Sequence, residues 1–215
     1  MRLITQLLTQ NDCYRAGRTI TPRGVMVHST GADNPWLSRY VAPDDGLLGA
    51  PSSRHWNQSG TGACPHGFIG KLEDGSVAVY QTLPWTMRGW HAGKGSRGSA
   101  NDTHISFEIC EDGLEDASYF QVVYRQAVEL TASLCRQFDL DPQADGVVIC
   151  HSEGHAQGIA SNHADVMHWF PRFGKTMDDF RADVAKKMEG GDDLTEEDVR
   201  AIVRSELDRI EANKA

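Results

Sequence analysis

Two short apolar runs far apart in the chain each deliver a histidine at their polar end. They are Gly24-Val25-Met26-Val27-His28 and Gly146-Val147-Val148-Ile149-Cys150-His151. Runs this short, rich in β-branched residues and opened by glycine, read as buried strands, because a helix needs about ten residues or more. Phe68-Ile69-Gly70-Lys71 and Val77-Ala78-Val79-Tyr80 flank Asp74-Gly75 and read as a hairpin. Ile105 to Ile109 reads as a further strand.

The clearest helix spans Tyr119 to Phe138, with Phe120, Val123, Ala127, Leu130, Leu134 and Phe138 at helical spacing. A second covers Asp178 to Met188, with Phe180 and Val184 facing inward. Strands that alternate with or precede helices predict an α/β domain with a central mixed β-sheet flanked by helices. Residues 1–20 read as an irregular arm, and 31–63 as a long loop with one helix near Trp36 to Val41. Residues 86–103 are again glycine-rich. The main domain is placed at 1–188 and a linker at 189–193. Residues 194–215 form a charged tail in which Val199, Val203, Leu207 and Ile210 make one apolar stripe. That tail reads as an amphipathic helix able to pair with another copy of the chain, or as a frayed end.

A chain of 215 residues, 40% of them hydrophobic, supports one sizeable core. Its net charge of -9 argues against nonspecific nucleic-acid binding, which needs a basic surface. Met1 to Leu8 is too short and polar for a signal peptide, and no stretch approaches the roughly 20 apolar residues of a membrane span. The expectation is a protein made in the cytoplasm without an export signal and without membrane insertion. Five cysteines with no CxxC spacing fit reduced core thiols.

Side chains alternate along a strand, so Ser106, Glu108 and Cys110 share one face while Ile105, Phe107 and Ile109 share the other. A half-buried carboxylate is costly unless paired or near a metal. Glu108 is therefore either a structural ion-pair partner or a functional group. Alternation also turns Cys150 away from His151, which argues against a cysteine–histidine nucleophile. The segment from His151 to Phe170 adds His155, His163, His168 and Asp165. Zinc takes neutral imidazole and carboxylate ligands, and a catalytic zinc keeps one position for water. His28 and His151 supply two candidate ligands. The third stays open among Asp165, His155, His163 and His168.

Four pieces occur in order: Val27-His28-Ser29, Gly89-Trp90-His91-Ala92-Gly93, Asn101 to Glu108, and Cys150-His151-Ser152-Glu153 with the loop to Asp165. Through them the chain resembles, over most of residues 1–187, the zinc-dependent N-acetylmuramoyl-L-alanine amidases of the type-2 family. These are related to peptidoglycan recognition proteins and phage lysins. The resemblance implies Zn2+ held by His28, His151 and Asp165. Asp165 is preferred as third ligand because it precedes the apolar Trp169-Phe170. It implies Glu108 as general base. Relatives without that carboxylate use a tyrosine before the hairpin; Cys64-Pro65-His66-Gly67-Phe68 has none, which leaves His66 as a cleft residue. A lysine commonly stands two positions before the third ligand; His163 stands there and becomes the expected oxyanion donor. Trp90, His91 and Asn101 are expected to line the substrate cleft. The implied reaction is hydrolysis of the amide between N-acetylmuramic acid and L-alanine in peptidoglycan, by a phage or prophage lysin. A noncatalytic peptidoglycan-binding module and a cytoplasmic muropeptide-recycling amidase are the alternatives.

Overall fold

The computed structural model describes residues 1–42, 46–50 and 52–190; the expected helix over 194–215 lies outside the described residues. Six strands form one sheet: β1 (Leu3–Thr5), β2 (Gly24–Ser29), β3 (Gly67–Lys71), β4 (Val77–Gln81), β5 (His104–Ile109) and β6 (Val148–Cys150). Their spatial order is β1-β4-β3-β5-β2-β6. Only the β3–β4 hairpin is antiparallel; its Asp74-Gly75 turn places Gly75 at φ 83, which a glycine adopts without strain. The other pairings are parallel, so the sheet is mixed as expected.

The amino-terminal arm is more ordered than its sequence suggests. Leu3 pairs in parallel with Val79 to make edge strand β1, and Asn11 caps helix α1 (Asp12–Ala16) through the Cys13 N–H. Three- and five-residue elements are too short to leave a periodic signal. The helix expected near Trp36 is a single 3-10 turn, Leu37–Arg39, with Leu37 buried.

Helix α2 (Ala117–Phe138) starts where the Asp116 carboxylate accepts from the Ser118 and Tyr119 N–H groups. Helix α4 (Met177–Glu189) starts at a Thr176–Asp179 capping box. Both cover one face of the sheet. There Val25, Val27, Ile105, Phe107 and Ile109 pack against Phe120, Val123, Leu130 and Leu134 of α2 and Phe180 and Val184 of α4. The opposite face is covered differently. Phe68, Tyr80 and Cys110 pack under Leu8, Cys13, Leu37 and Tyr40, and Met26 and Ile149 pack under Ala92, Ala100 and Ala160. Loops, the short helix α1 and the 3-10 turn at Leu37 cover this second face, and the cleft opens at the carboxyl ends of the parallel strands. No helix among the described residues is long and apolar enough to cross a membrane.

Candidate active site and metal centre

The parallel β2–β5 register sets His28 directly beside Glu108. Val27 and Phe107 point to the α2 face, so both functional side chains point to the other. The sequence reading carried the last strand through His151; in the structure β6 stops at Cys150 and His151 opens helix α3 (His151–Ala156). The cause is local. The Glu153 carboxylate accepts the Cys150 N–H at 2.9 Å, and the Arg181 guanidinium reaches both Glu153 (3.1 Å) and the Val148 carbonyl (3.0 Å). Cys150 still packs toward α2 while His151 faces the site. Asp165 opens a 3-10 turn, Asp165–His168, at φ 46, and the buried Val166 and Trp169 anchor that turn.

These elements bring His28, His151 and Asp165 together. Asp165 Oδ2 lies 3.0 Å from His28 Nδ1 and 2.9 Å from His151 Nδ1, and the two nitrogens are 3.2 Å apart. The outer hydrogen bonds fix which atoms carry protons. His91 Nε2 faces the His104 carbonyl at 3.3 Å and must donate to it, so neutral His91 accepts at Nδ1. His28 Nε2–H therefore donates to His91 Nδ1 at 3.0 Å, leaving a lone pair on His28 Nδ1. Ser161 Oγ donates to the Ala92 carbonyl (3.2 Å) and so accepts from His151 Nε2–H (3.1 Å), leaving a lone pair on His151 Nδ1. Two imidazole lone pairs and a carboxylate oxygen thus converge. Three acceptors in such contact repel one another unless a proton or a metal cation lies between them. Neutral imidazoles plus a carboxylate are the donor set that zinc takes, so these residues fit the metal.

The electrostatics agree. Burial pushes His28 down against the pull of Asp165, and burial pushes His91 well down, so both rings favour the neutral form. Burial alone would raise the Asp165 carboxyl, and only a donor or positive charge placed where His151 and His28 meet it holds the group below the usual carboxylate range. Gly93 sits at φ 65, and a Cβ there would lie 2.8 Å from Ser161 Oγ. Only glycine lets the 90–93 turn approach the hydroxyl that orients His151.

Glu108 lines a cleft of about 650 Å³ together with the three converging residues, Trp90, Asn101 and His163. Its Oε2 is buried with no hydrogen-bond partner among the described residues. Burial pushes this carboxyl well above the ordinary range, and the negative charges of Asp165 and Glu111 add to the shift. The His163 ring lies 4.7 Å from that of His151. Asn101 Oδ1 accepts the His91 and Ala92 N–H groups at 2.8 and 2.9 Å, so it shapes the turn as well as lining the cleft.

Other sequence candidates sit elsewhere. His66 is fully buried, accepts the Ser106 N–H at 3.0 Å and donates to the Met87 carbonyl at 2.7 Å. Burial lowers it to about 4. It is a framework residue behind His91 and does not line the cleft: one ring nitrogen is used by strand β5 and the other by the loop at Met87. His91 lines the cleft, but both its nitrogens are committed to His28 and His104. His155 is exposed, with Nδ1 3.3 Å from the Ala160 carbonyl. His168 Nε2 lies 2.9 Å from Glu111 Oε1 and so turns away from the converging trio. Ser161 and Glu111 were not singled out in the sequence; a lone serine or a loop acid carries no periodic or motif signal.

The model of the N-acetylmuramoyl-L-alanine amidase family matches residues 18–168. Among curated proteins, the N-acetylmuramoyl-L-alanine amidase XlyA of Bacillus subtilis is 33% identical over 103 residues, covering 46% of this chain and 28% of XlyA. CwlH of the same organism, also named an N-acetylmuramoyl-L-alanine amidase, is 31% identical over 103 residues, covering 46% of this chain and 33% of CwlH. The matches thus span about a third of those relatives. The hydrolase AmiA of Staphylococcus aureus, solved with its ligand, superposes with a TM-score of 0.56 at 17% identity. That superposition covers 87% of this chain and 82% of AmiA, a likeness of fold. The family match covers both cleft-forming strands, the turn at 90–93 and the Asp165 turn, and the chain belongs to the type-2 N-acetylmuramoyl-L-alanine amidase family.

Proposed function

We propose that this domain hydrolyses the amide between N-acetylmuramic acid and L-alanine in peptidoglycan, with zinc held by His28, His151 and Asp165. The observation that carries this reading is the buried, unpartnered Oε2 of Glu108 beside three converging acceptor atoms in an open cleft. When bound, zinc would supply Lewis acidity and lower the pKa of a coordinated water to about 7. Glu108 takes one proton from the attacking water and delivers it to the departing nitrogen as the C–N bond breaks. Its raised affinity for a proton suits that shuttle. His163, on the cleft side of His151, presents a ring N–H to the amide oxygen as negative charge builds there. The Trp90 ring offers an apolar surface to a sugar face. The role we carry for this chemistry is lysis of the cell wall, as in a phage or prophage lysin.

A noncatalytic binding module would have no use for the complete donor set and the unpartnered base. Purified cell walls treated with the zinc-loaded protein are expected to release free L-alanine amino termini while their reducing sugars stay constant. Walls left unchanged, with one zinc bound per chain, would leave the binding module as the better reading. Whole sacculi against soluble muropeptides separates a lytic enzyme from a recycling one.

The hydrogen-bond relay makes a further prediction. His91→Phe keeps the ring's bulk but removes the acceptor for His28 Nε2–H. Loss of an outer-shell partner of this kind typically weakens metal binding by about 10 to 100-fold. Competition with a chromophoric chelator measures it, and an unchanged affinity would show that the relay does not set the His28 tautomer.

A further inference from the structure

We propose that Glu111 and His168 form a clamp that positions the turn carrying Asp165 for metal binding. The proposal rests on the metal reading above and assigns a task to two residues outside the converging trio.

Asp165 and His168 begin and end the same four-residue turn. Its carboxylate end meets His28 and His151; its imidazole end lies 2.9 Å from Glu111 Oε1. Glu111 is a fixed post. Its backbone N–H donates to Thr30 Oγ1 at 3.1 Å, and its carbonyl accepts the Asn34 N–H at 2.9 Å. The Thr30 N–H in turn donates to the Ile109 carbonyl at 3.1 Å. Glu111 is therefore tied to the ends of β2 and β5, the strands that carry His28 and Glu108. Through His168 the turn bearing the third ligand is fastened to the strands bearing the rest of the site.

The turn has need of such a fastening. It follows the exposed residues Asn162, His163 and Ala164. Asp165 adopts φ 46, a left-handed conformation that costs an L-residue of this kind about 1 kcal/mol. Val166 and Trp169 fix the depth of the turn in the core, yet both lie on its apolar side. The His168–Glu111 contact is the polar tie on the other side. It also accounts for Glu111 itself. Glu111 Oε1 is buried and accepts no hydrogen bond of good geometry among the described residues; His168 Nε2, at 2.9 Å, is the polar atom placed to meet it.

Glu111 and His168 act through Asp165 and are positioning residues. The test uses the full-length chain, stripped of metal and titrated with zinc against a chromophoric chelator. Cobalt(II) absorption serves as a second reading of coordination. His168→Ala is expected to weaken zinc binding by about 10 to 100-fold and to reduce the cobalt band. His168→Gln, whose amide N–H can still reach Glu111, is expected to recover most of the affinity. The metal-free unfolding midpoint of both variants should stay close to the parent's, since His168 is about a third exposed. A zinc affinity for His168→Ala within twofold of the parent overturns the clamp alone. An affinity loss that tracks a fallen unfolding midpoint and is not recovered by glutamine overturns it in favour of general structural support. A parent protein that takes up neither zinc nor cobalt overturns the metal reading, and the clamp with it.

Discussion

Glu108→Gln is expected to keep one zinc per chain and to lower cell-wall hydrolysis by about 10² to 10⁴-fold, the usual worth of a positioned proton-transfer group. The carboxylate sits beside His28 across the β2–β5 pairing but is not one of the three converging ligands. Glutamine keeps its shape but carries no charge and cannot take and return a proton. The substitution has a second consequence, for the metal-free protein. Burial holds the Glu108 carboxyl well above its ordinary value in the folded state. Below the unfolded value, both states carry the proton and the group does not affect stability. As pH rises above it, the unfolded chain releases the proton before the folded one does, so the group increasingly favours unfolding. Metal-free Glu108→Gln should therefore match the parent in urea unfolding at pH 4 and be as stable or more stable at pH 7. A variant that hydrolyses walls at the parent rate would remove Glu108 from the chemistry. One that unfolds more easily only at pH 7 would show that the carboxylate holds the fold together.

The fold was legible where periodicity was long or sharp. Helix α2 was visible within two residues of its start because eleven of its side chains are buried on one side. The hairpin was visible because Asp74-Gly75 stands between two alternating runs. Strand β1 was not, because its three residues are half exposed and owe their order to pairing with β4. The end of β6 was misplaced by one residue for a similar reason. The apolar run continues to His151, and the chain turns at Cys150 because Glu153, held by Arg181, caps the helix that starts there.

The site divided along the same line. Strand alternation put Glu108 on one face with Ser106 and Cys110, and the structure turns that face away from α2. It could not rank Asp165 against His155, His163 and His168, because all four follow the last strand: His155 lies on α3, His163 in the loop after it, and Asp165 and His168 at the two ends of a 3-10 turn. Nor could it separate a cleft imidazole from a framework one. His66 precedes Gly67 and His91 lies between Gly89 and Gly93, so both read as polar rings in glycine-containing segments. In the fold, the nitrogens of His66 are consumed by the sheet and the loop, and those of His91 orient a neighbour.

Asp165→Asn is expected to have the largest effect on the metal. Asparagine tolerates the left-handed conformation at φ 46 as well as aspartate does, so the turn should keep its backbone. What changes is charge. The convergence of two neutral imidazoles and one carboxylate becomes three neutral groups, and the reason for a dication to sit there weakens. Zinc binding to small four-ligand sites is worth about 10–16 kcal/mol, or roughly 3 kcal/mol per ligand, so affinity should fall by about 10² to 10³-fold. Thermal unfolding with and without zinc reads this directly. At a zinc concentration a thousand times the parent Kd, the bound ion adds about 4 kcal/mol, a rise of roughly 8 to 16 °C for a domain of this size. At the same concentration the variant should gain only about 0.4 to 1.4 kcal/mol. Its wall hydrolysis should fall to background at low zinc and recover in part as zinc is raised. A variant raised by zinc as far as the parent would exclude Asp165 as a ligand. A parent that gains nothing from zinc, and loses no activity to a chelator, would take the metal out of the site altogether.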